Sequence, residues 1–187
     1  MQAAPALIII DMQNCMADAR AGQRNNPQAE DRIAQLLAAW RSMGARVIHV
    51  RHISRSATSM FAPGQAGAAF QPRFVPLAAE HVVEKNVPDA FVHSGLERWL
   101  HVRGITQLVL AGVSTNNSVE SSARSAGNLG FQTQVVADAT FAYAQTDYAG
   151  NARTADEVHA MALANLQADY AQIVTCEAVI AALAQAA

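Results

Sequence analysis

Five or six times along its 187 residues, the chain passes from a short apolar run into a segment with helical spacing. Ala6–Ile10 (ALIII) is the first run, apolar throughout, as a central strand buried on both faces requires. Arg46–Val50, His81–Lys85, Thr106–Ala111, Thr133–Ala137 and Gln172–Thr175 read as the further strands. Between them, Glu30–Met43 carries Ile33, Leu36, Leu37 and Trp40 at helical spacing, with Asp31 near its start and Gly44 at its close. Ser94 is expected to cap a helix running through Val102, with Glu97 completing a capping box. A third helix follows Ser118, with Val119, Ala123, Ala126 and Leu129 on one side. Thr154, with Glu157 three residues on, caps a fourth that buries Val158, Met161, Ala162 and Leu166. Cys176–Leu183 is the last. Strand–helix alternation of this kind predicts an α/β fold in three layers, a parallel sheet with helices on both faces.

The length fits one domain over residues 1–187, and with no internal repeat or linker none other is expected. Thirteen basic and fifteen acidic residues give a net charge of -2, and the arginines form no stripe. Nucleic acid and anionic membranes are therefore not expected partners. The apolar N-terminal run is too short for a signal peptide or a bilayer span. With only Cys15 and Cys176, the chain is expected to be cytoplasmic with reduced thiols. Residues 54–76, rich in glycine, proline and small side chains, are long for a structureless loop and suggest a lid, a binding segment or a mobile stretch. Residues 12–26 and 140–153 also read as loops.

In a parallel sheet the C-terminal strand ends share one edge, where ligands bind. Asp11 ends the first run, Lys85 the third, and the turn 112–118 the fourth. A carboxylate can move protons, an amine supplies positive charge, and amides at a helix start can hold an oxyanion. Singly, each has a plainer reading: a turn cap, a solvated edge charge, a helix cap. Their shared edge is what favours function. Other signals fail. Gly112–Asn116 lacks the final glycine of a nucleophile elbow. Neither a dinucleotide nor a nucleoside-triphosphate glycine motif is present. His49 and His52, three apart on one strand, face opposite sides, so no metal site is expected.

ALIIIDMQN (6–14), VVEKNVPDAF (82–91) and LAGVSTNNSVESSAR (110–124) resemble, in order and spacing, the three signature blocks of the isochorismatase-like hydrolases, or cysteine hydrolases. The likeness covers nearly the whole chain. It implies a six-stranded, mostly parallel sheet, a catalytic Asp and Lys matching Asp11 and Lys85, and a non-proline cis peptide at Val113–Ser114. It also implies homo-oligomers, dimers or tetramers, and no cofactor. The family's nucleophilic Cys aligns with Ser118, so this chain is either a branch without the thiol or carries a replacement. Ser114, Thr115, Asn117 and Phe91 are the candidate oxyanion and substrate contacts. Cys15 does not supply the missing thiol and fits better as a small core residue.

Three functions follow. One is hydrolysis of a small amide or ureido compound by Asp11, Lys85, the 114–118 turn and Ser118 or water. The second is acid-catalysed vinyl-ether hydrolysis needing no nucleophile at 118. The third is a silent binding homologue. His52, Arg55, Phe61, Phe70 and Tyr143 fall in loops on the same edge and are expected mostly to pack rather than to bind.

Overall fold

A computed structural model describes residues 4–185. Its main sheet has six strands: β1 (Ala6–Ile10), β2 (Val47–His52), β3 (His81–Lys85), β4 (Gln107–Val113), β5 (Gln132–Phe141) and β8 (Gln172–Val174). Their order is β3-β2-β1-β4-β5-β8, every pairing is parallel, and β6 (Gln145–Thr146) and β7 (Ala152–Arg153) form a separate antiparallel pair. Helices α1 (Ala29–Ser42) and α5 (Cys176–Gln185) cover one face. There Ile33, Leu36, Leu37 and Trp40 of α1 join Val179 and Leu183 of α5. Helices α2 (Leu96–Val102), α3 (Glu120–Asn128) and α4 (Ala155–Asp169) cover the other face, through Leu96, Leu100, Ala123, Ala126 and Leu166. This is the expected three-layer α/β/α arrangement. β1 is buried along its whole length because strands pair on both its edges and helices lie on both its faces.

The strand order sets the position of the site. Connections leave β1 toward β2 and, after β3, return to the other side of β1 as β4. The reversal opens a crevice beyond the C-terminal ends of β1 and β4, the topological switch point of such sheets. Gly112 keeps that crevice narrow: at φ 125°, a Cβ there would lie 2.1 Å from the Ile10 carbonyl oxygen.

Several local expectations change. α2 begins after Gly95, whose φ of 72° inserts a left-handed residue between Ser94 and the helix. The Ser94 hydroxyl instead donates to the Ala90 carbonyl and accepts from the Leu96 amide, and no capping box forms with Glu97. The Thr154–Glu157 box is present. Leu129 and Met161, expected inside, are 36% and 64% exposed, because each falls at the margin of its helix's buried stripe. β5 continues to Phe141, and β6–β7 occupies part of the expected 140–153 loop. Residues 54–76 carry two 3-10 turns and are anchored by buried Ala62, Ala68, Gln71 and Phe74, while much of the segment is exposed. Cys15 and Cys176 are free and buried, and among the described residues no helix is long and apolar enough to cross a membrane.

Candidate active site

β1 ends in Asp11, whose φ of 53° turns the chain out of the sheet. Left-handed backbone is uncommon outside glycine and clusters at functional positions. Two strands away, at a separation of about 10 Å by ordinary strand spacing, Lys85 ends β3. Only a long side chain bridges that distance across the end of β2, and Lys85 does so. Its Nζ donates to Asp11 Oδ2 at 2.6 Å and to Ser118 Oγ at 3.1 Å. All three residues are buried, at 4%, 3% and 7% exposure. The first, third and fourth strands thus deliver a carboxylate, an ammonium and a hydroxyl to one point.

Asp11 Oδ1 is buried and has no hydrogen-bond partner among the described residues. Burial pushes the Asp11 carboxyl above its usual range, against the opposing pull of Lys85 and the hydrogen bond with Ser118. The site therefore holds a carboxylate of raised basicity, one oxygen held by Lys85 and one still able to accept a proton. His52 ends β2 in register with Lys85, and its ring packs edge-on against Phe61 at 5.2 Å. Burial, assisted by Lys85, lowers its pKa, so it is predominantly neutral at neutral pH.

The turn after β4 begins with a cis peptide at Val113–Ser114 and continues as one π-helical turn, Thr115–Val119. The Ser114 carbonyl accepts from the amides of Asn117 at 3.1 Å and Val119 at 3.2 Å. Asn117 therefore offers no free amide to an oxyanion, and its side chain is exposed. Thr115 is fully buried, and its hydroxyl pairs with His159 Nδ1 at 2.8 Å. Ser114 is half-buried. The structure does not bring Phe91 to this cluster: Ala90 and Asp89 are held to Ser122 and Ser125 along α3, and the Phe91 ring packs on Phe131, which precedes β5. That fixes Phe91 toward the opposite end of the sheet from the Asp11 edge.

Of the other aromatics, Phe70 packs edge-on against His49, and the Tyr143 hydroxyl donates to the Met16 carbonyl. Arg55 donates to Asn86. Cys15 lies in the loop after Asp11, where burial pushes its thiol up to about 11, so it is inert at neutral pH. His49 and His52 do face opposite sides: His49 meets Glu80 beside α1, and His52 lies toward Lys85. Gln13 was not singled out in the sequence. Fully buried, it donates to the carbonyls of His52 (2.9 Å) and Ala68 (2.8 Å) and accepts from the His52 amide (2.8 Å). It thereby ties both ends of the 54–68 segment to the loop after β1. A polar residue in a loop carries no periodic signal of burial, so spacing could not have found it.

The chain and its fold have known relatives. The isochorismatase domain model matches residues 5–178. The chain is 35% identical over 180 residues to the uncharacterized isochorismatase family protein YrdC of Bacillus subtilis, covering 96% of each. It is 34% identical over 122 residues to maleamate amidohydrolase of Pseudomonas putida, covering 58% of this chain and 57% of that one. In structure it is similar to a putative hydrolase of the isochorismatase family from Chromobacterium violaceum, with a TM-score of 0.95 and 46% identity over 97% of this chain and 94% of that one.

Proposed function

The chain belongs to the isochorismatase family of hydrolases, and from that premise we propose that it cleaves a carbon–nitrogen bond in a small amide or ureido substrate at Asp11, Lys85 and Ser118. The observation that carries the reading is Lys85 Nζ lying between Asp11 Oδ2 at 2.6 Å and Ser118 Oγ at 3.1 Å, all buried. The likeness to maleamate amidohydrolase, whose name specifies an amide, supports the bond class.

In this scheme Ser118 Oγ attacks the substrate carbonyl carbon and its proton passes to Asp11. A serine hydroxyl is a weak nucleophile without a base, and the burial-raised Asp11 carboxylate is a stronger base than a solvated one. Lys85 remains an ammonium and offsets the charge developing on Oγ. Amides of the 114–118 turn other than that of Asn117 receive the carbonyl oxygen as it becomes an oxyanion. The tetrahedral intermediate expels the amine, which takes the proton back from Asp11. Water then attacks the Ser118 ester, giving its proton to Asp11. The acid is released and Ser118 is reprotonated. Ser114 and Thr115 serve this scheme through their backbone.

The experiment is release of ammonia or amine from a panel of small carboxamides and ureides by wild type, Ser118→Ala and Ser118→Cys. Turnover by wild type, lost in the alanine form and retained in the cysteine form, is expected. A second reading has one observation in its favour: a carboxyl raised by burial also suits an acid that protonates a vinyl-ether carbon. That reaction needs no hydroxyl at 118, so cleavage of a vinyl-ether substrate by wild type and Ser118→Ala at equal rates, with no amine released from the panel, selects it over amide hydrolysis.

A further inference from the structure

Outside the three reacting residues, the turn that holds Ser118 is gripped from α4 by one buried histidine. We propose that His159 is a positioning residue for this site: as the neutral Nδ1–H tautomer it donates to Thr115 Oγ1 and so fixes the turn that presents Ser118 and the oxyanion amides. The inference rests on the reading of Asp11, Lys85 and Ser118 as the reacting groups.

The tautomer follows from the neighbours. Asn26 Nδ2 carries two hydrogens, and both are committed to β5: one to the Ala137 carbonyl at 2.9 Å, one to the Thr140 carbonyl at 2.7 Å. The same Nδ2 lies 3.5 Å from His159 Nε2. A hydrogen on Nε2 would point at a group that is itself a donor. Nε2 is therefore the bare nitrogen and Nδ1 bears the hydrogen, which goes to Thr115 Oγ1 at 2.8 Å. Thr115 is fully buried and His159 is 8% exposed, so water cannot readily replace either partner. The grip connects three parts of the chain: the 26 loop, the C-terminal end of β5, and α4. It closes on the first residue of the π-helical turn, three residues before Ser118.

Two substitutions separate positioning from bulk packing. His159→Asn places an amide nitrogen near the former Nδ1 and can still donate to Thr115; His159→Gln places its amide near Nε2 and cannot. On the best carboxamide substrate, His159→Gln is expected to lower kcat about 10- to 100-fold, the scale of a small misplacement of reacting groups, with KM nearly unchanged. His159→Asn is expected to recover most of kcat. Independently of turnover, ¹⁵N spectra of wild type should show a protonated Nδ1 and a bare Nε2. Backbone amide shifts of residues 114–118 should move in His159→Gln and stay in His159→Asn. A protonated Nε2 in wild type, or a 114–118 turn unmoved in His159→Gln, overturns the proposal. If wild type hydrolyses no amide but the turn moves as stated, the positioning role stands and the bond-class reading is what fails.

Discussion

Two carboxylates in this protein, Asp11 buried and Glu80 half-buried, each pair with a cation, and they are finished differently. Glu80, just before β3, accepts from Arg41 Nε (2.7 Å) and Nη2 (2.8 Å), from the Leu77 amide (2.7 Å) and pairs with His49 Nε2 (2.9 Å). Both its oxygens are used, and these partners hold its carboxyl down at about 2 despite burial. Asp11, at the opposite end of the sheet, has Lys85 and Ser118 on one side and, on the other, an Oδ1 without a partner among the described residues, and its carboxyl is raised. A filled hydrogen-bond shell makes a carboxylate a brace; an incomplete one leaves it basic and able to react. The backbone agrees: Asp11 sits at positive φ in the crevice of the switch point.

This contrast is open to direct attack. Asp11→Asn removes the proton acceptor but keeps the shape, and kcat/KM on an amide substrate is expected to fall roughly 10²- to 10⁴-fold, the range for general acid–base groups. Steady-state kinetics checks it, with circular dichroism to verify folding. Glu80→Gln should do the reverse. It leaves the partly exposed Arg41 facing a neutral amide and is expected to cost about 2 kcal/mol of stability, read from urea denaturation, while kcat changes less than about threefold.

A smaller effect separates the two carboxylates by pH. Glu80 has a folded pKa of about 2, below its unfolded value of about 4.3. Its contribution is thus full above the unfolded value and is lost as pH falls through the folded one. Asp11 has the opposite sign: its raised carboxyl disfavours the ionised fold, so acid relieves rather than removes a cost. Urea midpoints measured from pH 6 to pH 2 should show the gap between wild type and Glu80→Gln narrowing as acid is added. A constant gap would mean that Glu80 is not held in the ionised state by its partners.

Much of this was readable without coordinates, and the reason is burial. β1 and β3 begin and end at the expected residues, Ala6–Ile10 and His81–Lys85; for β1 the reason is an apolar run buried throughout and bounded by Asp11, which leaves little choice of register. The convergence of Asp11, Lys85 and Ser118 followed from three strand ends on one sheet edge. The misses are contacts between distant segments. By sequence Phe91 falls in a loop on the active edge, but Ser122 and Ser125 draw that loop down α3. Thr115 and Asn117 looked equivalent as polar residues of one turn; the π-helical geometry buries the first against His159 and turns the amide of the second onto Ser114. Gln13 and His159 gave no signal, since neither hydrogen bonding at a separation of 39 residues nor tautomer choice leaves a local pattern.

The sharpest measurement places Asp11→Asn and Glu80→Gln beside wild type in one assay of amine release from the carboxamide and ureide panel. Release by wild type and Glu80→Gln, with Asp11→Asn reduced at least about a hundredfold, is the outcome expected of a spent carboxylate and a reactive one. Amine release by Asp11→Asn at the wild-type rate, or none by wild type on any compound of the panel, contradicts the assignment of C–N bond cleavage to this site.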